Sequence, residues 1–329
     1  MLLALYHPEH GYYSSGRCVI GRAGDYFTNV SVGPLFGELL CRQFIEIWQR
    51  LGRIDDFVIL EQGAHEGHFA RDVLEFAQTH APKFFQALRY HIVEPFRVLQ
   101  ERQQRVLQSF HHKVDWSGSL QPFVGVHFSN ELLDAMPVRL ISGGGEKFVA
   151  LEGDEFVFLD RALHDDRSFN EIALNWIGEV AKNLQRGYVI TIDYGHSGAD
   201  VETTVQVRAQ HRHLDSPFEQ IGHADITVHV HWASILERAR ANGLHVAGFT
   251  DQHHFLTGII SELGRIDSRQ SLLLDSPKTT RELQTLLHPE MLGRAFQVMG
   301  LEKNVDPRRE PLAGFKFARE LRSALNTAE

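Results

Sequence analysis

Strand-like and helix-like patterns alternate through the first half of the chain, and this alternation constrains the fold more than any other feature. Four short apolar runs predict strands, at 57–60, 90–93, 114–116 and 125–128. Amphipathic helical patterns follow the first two runs, over 67–80 and 96–108, with Pro95 near the first turn of the second helix. Regular alternation of this kind is typical of a parallel sheet covered by helices on both faces. The sequence therefore predicts a doubly wound α/β fold.

The regions around this core have weaker patterns. Residues 1–34 show no clear period and predict a structured loop region, whereas 35–51 predict a helix that ends at Gly52. Short glycine-linked strands predict an antiparallel β insertion, at 138–142, 147–152 and 155–159. The alternation then resumes with a helix near 168–185, a strand at 188–193, a helix at 230–242 and a strand at 244–250. We expect the remainder to be mainly helical up to a final strand at 312–317.

These patterns predict one domain over residues 1–329. Its expected parts are an N-terminal segment with a helix (1–52), a sheet core with helical elaborations (53–137 and 186–329), and the β insertion (138–165). Of the 329 residues, 43% are hydrophobic and 23% are charged, which suits a globular protein with a substantial core.

Charge and cysteine content restrict the partners and the compartment. The net charge of −9 disfavours nucleic acid and anionic membranes as partners. Cys18 and Cys41 are too few for a disulfide framework, so we expect a reducing compartment. No apolar run approaches the roughly 18 residues that span a bilayer, so no membrane insertion is expected. The expected location is the cytoplasm of a bacterium, or a mitochondrion if a targeting segment precedes the sequence.

A glycine turn follows the first strand and reads Glu61-Gln62-Gly63-Ala64-His65-Glu66-Gly67. Glycines let a backbone turn sharply beside a ligand, and the helix that follows offers unpaired N–H groups. A dinucleotide site would have a second glycine where His65 lies, because only glycine admits the pyrophosphate. His65 therefore disfavours a nicotinamide oxidoreductase. Glu61 suits a ligand with an ammonium group and no phosphate, such as S-adenosylmethionine.

Two further positions lie at carboxyl ends of the predicted strands, where such sheets bind ligands. Glu94 ends the second strand, and its two oxygens could accept both hydroxyls of a ribose. Asp115 and Trp116, at the third strand, offer an acceptor for an adenine amino group and a flat face for stacking. The alternatives are a solvated strand end for Glu94 and a core position for Trp116.

After the fourth strand, the segment 130–137 places an amide and two carboxylates beside the expected pocket. If Glu131 opens a helical turn, Glu131 and Asp134 share one face and could hold a cationic guanidinium through charge-assisted hydrogen bonds. The alternative is a helix start, with Asn130 as its cap and the acids complementing the helix dipole.

Several segments occur in the order of a known family: 4–13, 24–28, 130–137, 192–195, 223–230 and 311–315. On these residues the chain resembles the MidA-type class I S-adenosylmethionine-dependent methyltransferases. This family includes the mitochondrial complex I assembly factor that methylates an arginine of a complex I subunit. The resemblance runs almost end to end.

The resemblance implies a Rossmann-like, seven-stranded methyltransferase sheet, an antiparallel insertion, and an N-terminal segment that lies over the cofactor. It implies contacts to S-adenosylmethionine from Glu61, Gly63, Gly67 and Glu94, joined by Gly24, Asp25 and Thr28. It also implies that the acceptor group faces Asn130, Glu131 and Asp134. For Gly24 and Asp25 the alternative is a simple turn. The family usually has Gly-Pro-Gly-x-Gly at the turn, so His65 either points outward or crowds the pocket.

The expected function is methylation of a protein side chain, with arginine favoured and a role in respiratory complex I assembly. The alternative is a non-catalytic assembly factor that retains the methyltransferase fold. The expected partners are a protein substrate, specifically a respiratory complex subunit, and a second copy of the chain as a further candidate. Nucleic acid is not expected.

The twenty histidines raise the question of a metal site. The closest groupings are pairs, at 111/112, 211/213, 229/231 and 253/254. Since no third ligand follows at a suitable spacing, we expect hydrogen-bonded or solvated histidines and no metal.

Overall fold

The computed structural model describes residues 1–18, 28–143, 145–163, 168–196, 205–210, 212–266, 276–306 and 310–318, with only the backbone described over 263–266. A central sheet is built around β1 (Phe57–Gln62), which lies between β2 (Leu88–Val93) and β4 (Phe123–Asn130) and is parallel to both. On the β2 side the sheet ends with β3 (Val114–Ser117), which is also parallel.

On the β4 side the sheet continues with β8 (Leu184–His196), again parallel. Next come β14 (Phe296–Lys303), antiparallel to β8, and the edge strand β13 (His245–Asp251), antiparallel to β14. The strand order is β13-β14-β8-β4-β1-β2-β3, with the short β12 (Val230–His231) attached to the end of β8. The doubly wound α/β prediction is confirmed, and β12 makes an eighth strand beside the seven that the resemblance implied.

Helices cover both faces of the sheet. One face packs against α3 (Leu35–Arg50), α4 (His68–His80), α9 (Gln252–Ile266) and α10 (Pro277–Leu287). The other face packs against α7 (Glu171–Asn183) and α8 (Trp232–Ala241). Shorter helices are α1 (Leu2–Tyr6), α2 (Asn29–Val32), α5 (Pro82–Ala87) and α6 (Arg97–Val106).

Neighbouring residues of the central strands belong to different cores because side chains alternate across a sheet. In β1, Ile59 packs in the core under α3 and α4, whereas Leu60 packs in the core under α7 and α8. Ile190 and Val189 of β8 divide in the same way. Burial on both faces explains why these strands read as continuous apolar runs in the sequence.

Two small antiparallel sheets extend from this core. The insertion consists of β5 (Leu140–Ser142), β6 (Gly145–Glu152) and β7 (Glu155–Ala162), and so its first strand begins two residues later than predicted. The second sheet consists of β9 (Val205–Ala209), β10 (Arg212–Leu214) and β11 (Asp225–Val228), and it was not predicted. The N-terminal segment packs on this second sheet through Leu5 and Tyr12.

The C-terminal prediction was wrong in two places. The last strand of the sheet is 296–303, within a region predicted to be helical, and 312–317 contains only a 3₁₀ turn at Ala313–Phe315. The reason lies in Phe315, whose ring fills the space that side chains at Gly248 and Gly300 would need. Its burial therefore comes from packing across β13 and β14 and does not require a strand.

Smaller corrections concern the ends of helices. The region 1–34, predicted to be loop, contains the short helices α1 and α2. The helix predicted at 230–242 begins at Trp232, because residues 230–231 pair with β8. Among the described residues, no helix combines the length and apolar character needed to cross a membrane.

Candidate active site

A cavity of about 330 Å³ opens at the carboxyl ends of β1, β2 and β4, where open α/β sheets bind ligands. Its size falls within the usual range for small-molecule sites. Apolar side chains line part of it, including Val93, Phe96, Leu99 and Phe128. The polar residues of its lining are Tyr6, Tyr13, Thr28, Ser31, Glu61, Gln62, His65, Glu66, His68, Glu94, Asn130 and Glu131.

Glu61 lies near the end of β1, and its carboxyl group is buried in the wall of the cavity. Its Oε2 accepts a 2.6 Å hydrogen bond from the hydroxyl group of Tyr90 on β2. Burial raises the pKa of Glu61 to about 8, because the ionised form loses its hydration. A cationic ligand would favour the ionised form of this group.

The glycine turn after β1 adopts a left-handed backbone at Gly63 (φ +79°) and at His65 (φ +46°). A Cβ at Gly63 would also lie 3.3 Å from Cδ1 of Leu132, so the position is tight as well as left-handed. His65 is among the residues that line the cavity. Burial lowers the pKa of His65 to about 4, so a neutral imidazole forms this part of the wall. Gly67 caps α4 and does not line the cavity.

Glu94 follows β2 and is held by two donors. Its Oε1 accepts the backbone N–H of Phe96 at 3.0 Å, and its Oε2 accepts Nε2 of Gln103 at 3.1 Å. Burial raises the pKa of Glu94 to about 7. Gln103 is a buried residue of α6 that also donates to the backbone oxygen of His65 at 2.9 Å. This single amide therefore joins the glycine turn to Glu94.

The structure corrects the prediction for Asp115 and Trp116, because neither side chain lines the cavity. Nε1 of Trp116 donates to Oε1 of Gln103 at 3.0 Å, and its ring packs against the core. Asp115 points to the other side of β3, where it lines a separate depression at the amino ends of the strands. Trp116 thus supports Gln103 and does not offer a stacking surface to a ligand in the cavity.

No helix follows β4, so the predicted turn over 131–134 and the alternative cap at Asn130 are both wrong. Glu131 has a left-handed backbone (φ +53°). The physical reason is Asp193 at the end of β8. Its Oδ2 accepts the three successive backbone N–H groups of 132–134 at 3.1, 2.8 and 3.2 Å. The first N–H groups of a helix have no partner within the helix. Here the corresponding N–H groups donate hydrogen bonds to a carboxylate from another strand, and the segment does not become helical.

The Glu131 side chain is fixed by two asparagines. Its Oε1 accepts Nδ2 of Asn130 at 2.8 Å and the backbone N–H of Asn29 at 3.4 Å. Nδ2 of Asn29 in turn donates to Oδ1 of Asn130 at 2.9 Å. Burial raises the pKa of Glu131 to about 8.

The N-terminal segment forms part of the cavity wall, as the resemblance implied. The hydroxyl group of Tyr6 donates to the backbone oxygen of Ala135 at 2.9 Å, and its ring stacks against Phe96 at 6.2 Å. Tyr13 and Thr28 also line the cavity. Gly24 and Asp25 lie outside the described residues.

A second, smaller pocket of about 140 Å³ adjoins the first, and Tyr13 and Glu131 line both. Its remaining lining residues come mainly from the 205–229 region and the strand ends: Asp134, Tyr194, Gln206, Arg208, Asp225, Thr227, Val228 and His229. The second sheet, which the sequence did not reveal, therefore builds half of the site.

This acidic pocket carries three carboxyl groups, from Glu131, Asp134 and Asp225. Oδ1 of Asp225 accepts the hydroxyl group of Tyr13 at 2.6 Å. Burial, reinforced by Asp193 and Asp225, raises the pKa of Asp134 well above its ordinary value. The guanidinium of Arg208 donates to Oε1 of Gln206 at 3.2 Å, and its side chain is exposed. Buried carboxyl groups around a cavity suit a cationic ligand.

The histidines that the structure describes show no metal arrangement, and His211 of the pair 211/213 lies outside the described residues. In the part of the chain that the structure describes, no three His, Cys, Asp or Glu side chains are grouped to hold a metal ion. His229 lines the acidic pocket, and Nδ1 of His231 accepts the backbone N–H of Ser234 as the cap of α8.

Comparison with known proteins identifies the ligand class. A family model described as S-adenosyl-L-methionine-dependent methyltransferase matches residues 39–173 and 163–250. The chain is 26% identical over 351 residues to the mitochondrial protein arginine methyltransferase NDUFAF7 homolog of Drosophila melanogaster, covering 90% of this chain and 79% of that protein. The human mitochondrial protein arginine methyltransferase NDUFAF7 is 25% identical over 350 residues, covering 90% of this chain and 77% of the human protein.

A solved structure extends this likeness to the fold. A Burkholderia thailandensis protein crystallised with S-adenosyl-homocysteine has a TM-score of 0.83 and 26% identity, covering 98% of this chain and 90% of that one. The cavity fits the cofactor of such enzymes, because S-adenosylmethionine is cationic and the buried carboxyl groups of Glu61 and Glu94 lie in its wall. The chain is an S-adenosylmethionine-dependent enzyme, and it belongs to this methyltransferase family.

Proposed function

We propose that this enzyme methylates the guanidinium group of an arginine in a protein, and that this protein is a subunit of respiratory complex I. The observation that most supports arginine is the position of Glu131, which borders both the cofactor cavity and the acidic pocket. A guanidinium suits such a pocket because it is planar, permanently cationic and rich in donors.

The names of the relatives agree with this acceptor. The Drosophila and human proteins are both named protein arginine methyltransferases, and both are named as mitochondrial. The assignment to complex I rests on the family resemblance of the sequence. For this chain we propose the cytoplasm of a bacterium, with the mitochondrion as the alternative that the relatives support.

On this proposal, three side chains and the glycine turn bind the cofactor. Glu61 faces its ammonium group, and Glu94 accepts the two ribose hydroxyls. Gly63 and Gly67 shape the turn beside it, and Thr28 contributes from the N-terminal side. S-adenosylmethionine supplies a methyl carbon that is electrophilic because it is bonded to a sulfonium.

The acceptor arginine is held by Asn130, Glu131 and Asp134, which orient one guanidinium nitrogen towards the cofactor cavity. Tyr6 and Tyr13 cover the site and exclude water. A free guanidinium is not deprotonated by a carboxylate in advance, so orientation carries most of the effect. Bond formation between this nitrogen and the methyl carbon would break the bond from that carbon to sulfur, and the nitrogen would release a proton. Glu131 can accept that proton, because its pKa of about 8 is close to the ambient pH.

The acceptor can be identified by labelling. The purified enzyme and methyl-labelled S-adenosylmethionine are incubated with a lysate that contains complex I, and the labelled residue is mapped by mass spectrometry. Label on an arginine of a complex I subunit is the expected result. Label confined to lysine or to a small molecule would contradict the proposal.

The role of Glu131 has its own test. Glu131→Gln should lower the rate of methyl transfer by about 100-fold or more, whereas calorimetry should find cofactor affinity within about twofold of the parent enzyme. Unchanged turnover would refute the assignment.

A further inference from the structure

We propose that one face of the β insertion is the docking surface for the acceptor protein, and that it binds an extended segment rich in basic and apolar residues on either side of the target arginine. This inference rests on the proposed function. It names the chemistry of the partner and the part of the enzyme that recognises it.

The insertion exposes apolar side chains that have no role in the core. Val149 and Leu151 of β6 are 56% and 61% exposed, and Phe156 of β7 is 49% exposed. Phe148, Leu159 and Leu163 are also among the exposed large hydrophobic residues. So many exposed apolar side chains within one short segment are characteristic of a protein interaction site.

The pairing of β6 with β7 places Val149, Leu151 and Phe156 on one face, whereas Phe148 and Leu159 lie opposite each other on the other face. Val149 lies opposite Phe158, and Leu151 lies opposite Phe156. Because directly opposed residues of an antiparallel pair share a face, these four side chains form one continuous surface, which we call the apolar face.

The apolar face leads towards the acidic pocket. The ring of Phe218 packs against the rings of Phe158 and Phe156. The distances between ring centroids are 4.7 Å and 5.9 Å, respectively. Phe218 lies between β10 and β11, and Asp225 and Thr227 of β11 line the acidic pocket. A polypeptide bound on the apolar face is therefore adjacent to the element that builds the pocket for the acceptor side chain.

The charge of the insertion indicates a basic partner. Within its body, Arg139 pairs with Glu146 at 2.6 Å and Lys147 pairs with Asp160 at 3.5 Å. The turn between β6 and β7 instead exposes Glu152, Asp154 and Glu155, none of which pairs with a cation among the described residues. Lysine or arginine residues next to the target arginine would complement this turn.

The backbone of β7 is also available for an extended partner. In the described part of the chain β7 pairs only with β6, so its outer edge is free of strand partners. An extended segment can add to such an edge through main-chain hydrogen bonds, while alternate side chains contact the apolar face.

The test uses the full-length enzyme and a defined probe. The probe is a fluorescein-labelled peptide of about 15 residues with a central arginine flanked by alternating valine and lysine. A second peptide replaces every lysine with glutamate. The variant combines Val149→Ser with Leu151→Ser. The matched control is Met291→Ser, which changes a side chain that is 50% exposed in the turn after α10.

We expect fluorescence anisotropy to show that the double variant binds the lysine peptide about tenfold more weakly than the parent enzyme, with the control within about twofold. The glutamate peptide should bind the parent enzyme at least about tenfold more weakly than the lysine peptide. For methylation of the lysine peptide, the double variant should raise KM and leave kcat unchanged. Transfer to N-acetyl-arginine amide, which is too short to reach the apolar face, should not change.

Equal affinity of the parent enzyme and the double variant, or of the two peptides, would overturn the proposal. So would sedimentation analysis showing that the double variant converts a dimer to a monomer, because the apolar face would then be covered by a second copy of the chain. Failure of the proposed function is a separate result. If neither acceptor is methylated although the cofactor binds, arginine is the wrong acceptor, and the anisotropy measurement still decides whether the surface docks a basic segment.

Discussion

Oδ2 of Asp193 lies 2.8 Å from the backbone nitrogen of Leu133 and accepts its N–H group. The same oxygen accepts two neighbouring amides, and Oδ1 accepts the backbone N–H of Tyr194 at 2.8 Å. A carboxylate at the end of β8 thus fixes the segment that carries Glu131 and Asp134. Burial raises the pKa of both Asp134 and Asp193, and the four amides that Asp193 accepts oppose this rise at Asp193.

Asp193→Ala should therefore disorder the segment after β4. It leaves four amides without their acceptor, three of them in this segment, and we expect the free energy of unfolding to fall by about 3 kcal/mol or more. Urea denaturation measures this loss. Asp193→Asn keeps one acceptor oxygen and should recover part of the stability. If both variants unfold like the parent enzyme, the hydrogen bonds of Asp193 do not hold the segment.

Cofactor binding should depend on pH through Glu61 and Glu94. Their pKa values are raised to about 8 and about 7 in the unliganded enzyme, so a cationic ligand must displace protons from both. Affinity for S-adenosylmethionine should therefore fall as pH is lowered from 8.5 to 6.5, by about tenfold or more. Calorimetry over this range measures the change. S-adenosyl-homocysteine carries the same ammonium group and ribose hydroxyls and should show a similar change, and a flat profile for both ligands would contradict the assignment.

Glu61→Gln should stabilise the unliganded protein at high pH. A carboxyl group whose pKa is raised on folding destabilises the folded state as pH rises from its unfolded value, near 4.5, to its folded value of about 8. Above pH 8 the neutral amide should therefore raise the free energy of unfolding by on the order of 2 kcal/mol. The gain should vanish near pH 4.5. Denaturation at both pH values provides the comparison, and the same substitution should weaken cofactor binding.

Substitution of Gln103 should weaken the binding of S-adenosylmethionine more than substitution of Trp116. Gln103→Leu removes the donor to Glu94 and the link to the glycine turn, so S-adenosylmethionine should bind about tenfold more weakly. Trp116→Leu removes only the support of Gln103 and should change the affinity by less than about threefold. A larger loss from the tryptophan substitution would restore the stacking role that the sequence had indicated.

The sequence was sufficient for elements whose pattern is local. Central strands such as β1 and β8 are buried on both faces, so their apolar runs identify them without other information. The strand 296–303 could not be separated from a helix, because short apolar runs are ambiguous when no glycine turn follows. The strand predicted at 312–317 was wrong for a related reason. The burial of Phe315 depends on two glycines, Gly248 and Gly300, that are distant from it in the sequence.

For the candidate site, the sequence identified several residues that line the cavity but did not reveal the hydrogen bonds that join them to distant parts of the chain. Glu61, Glu94 and Glu131 were found because each lies at the carboxyl end of a strand. Asp193 also ends an apolar strand, so the same rule could have assigned it a place in the site. The bond between Tyr13 and Asp225 gave no such signal, because it joins residues 212 positions apart through an unpredicted sheet.

On the proposed assignment, the cofactor and the acceptor occupy two cavities that share Glu131 in their walls, and this side chain can link the two binding equilibria. Any change that the cofactor imposes on the ionisation of this carboxyl group also changes the field that an acceptor meets. The acceptor must then alter the affinity for the cofactor by the same factor as the cofactor alters the affinity for the acceptor. On that assignment, any cooperativity between the two substrates would pass through this one shared side chain and would need no movement of the fold.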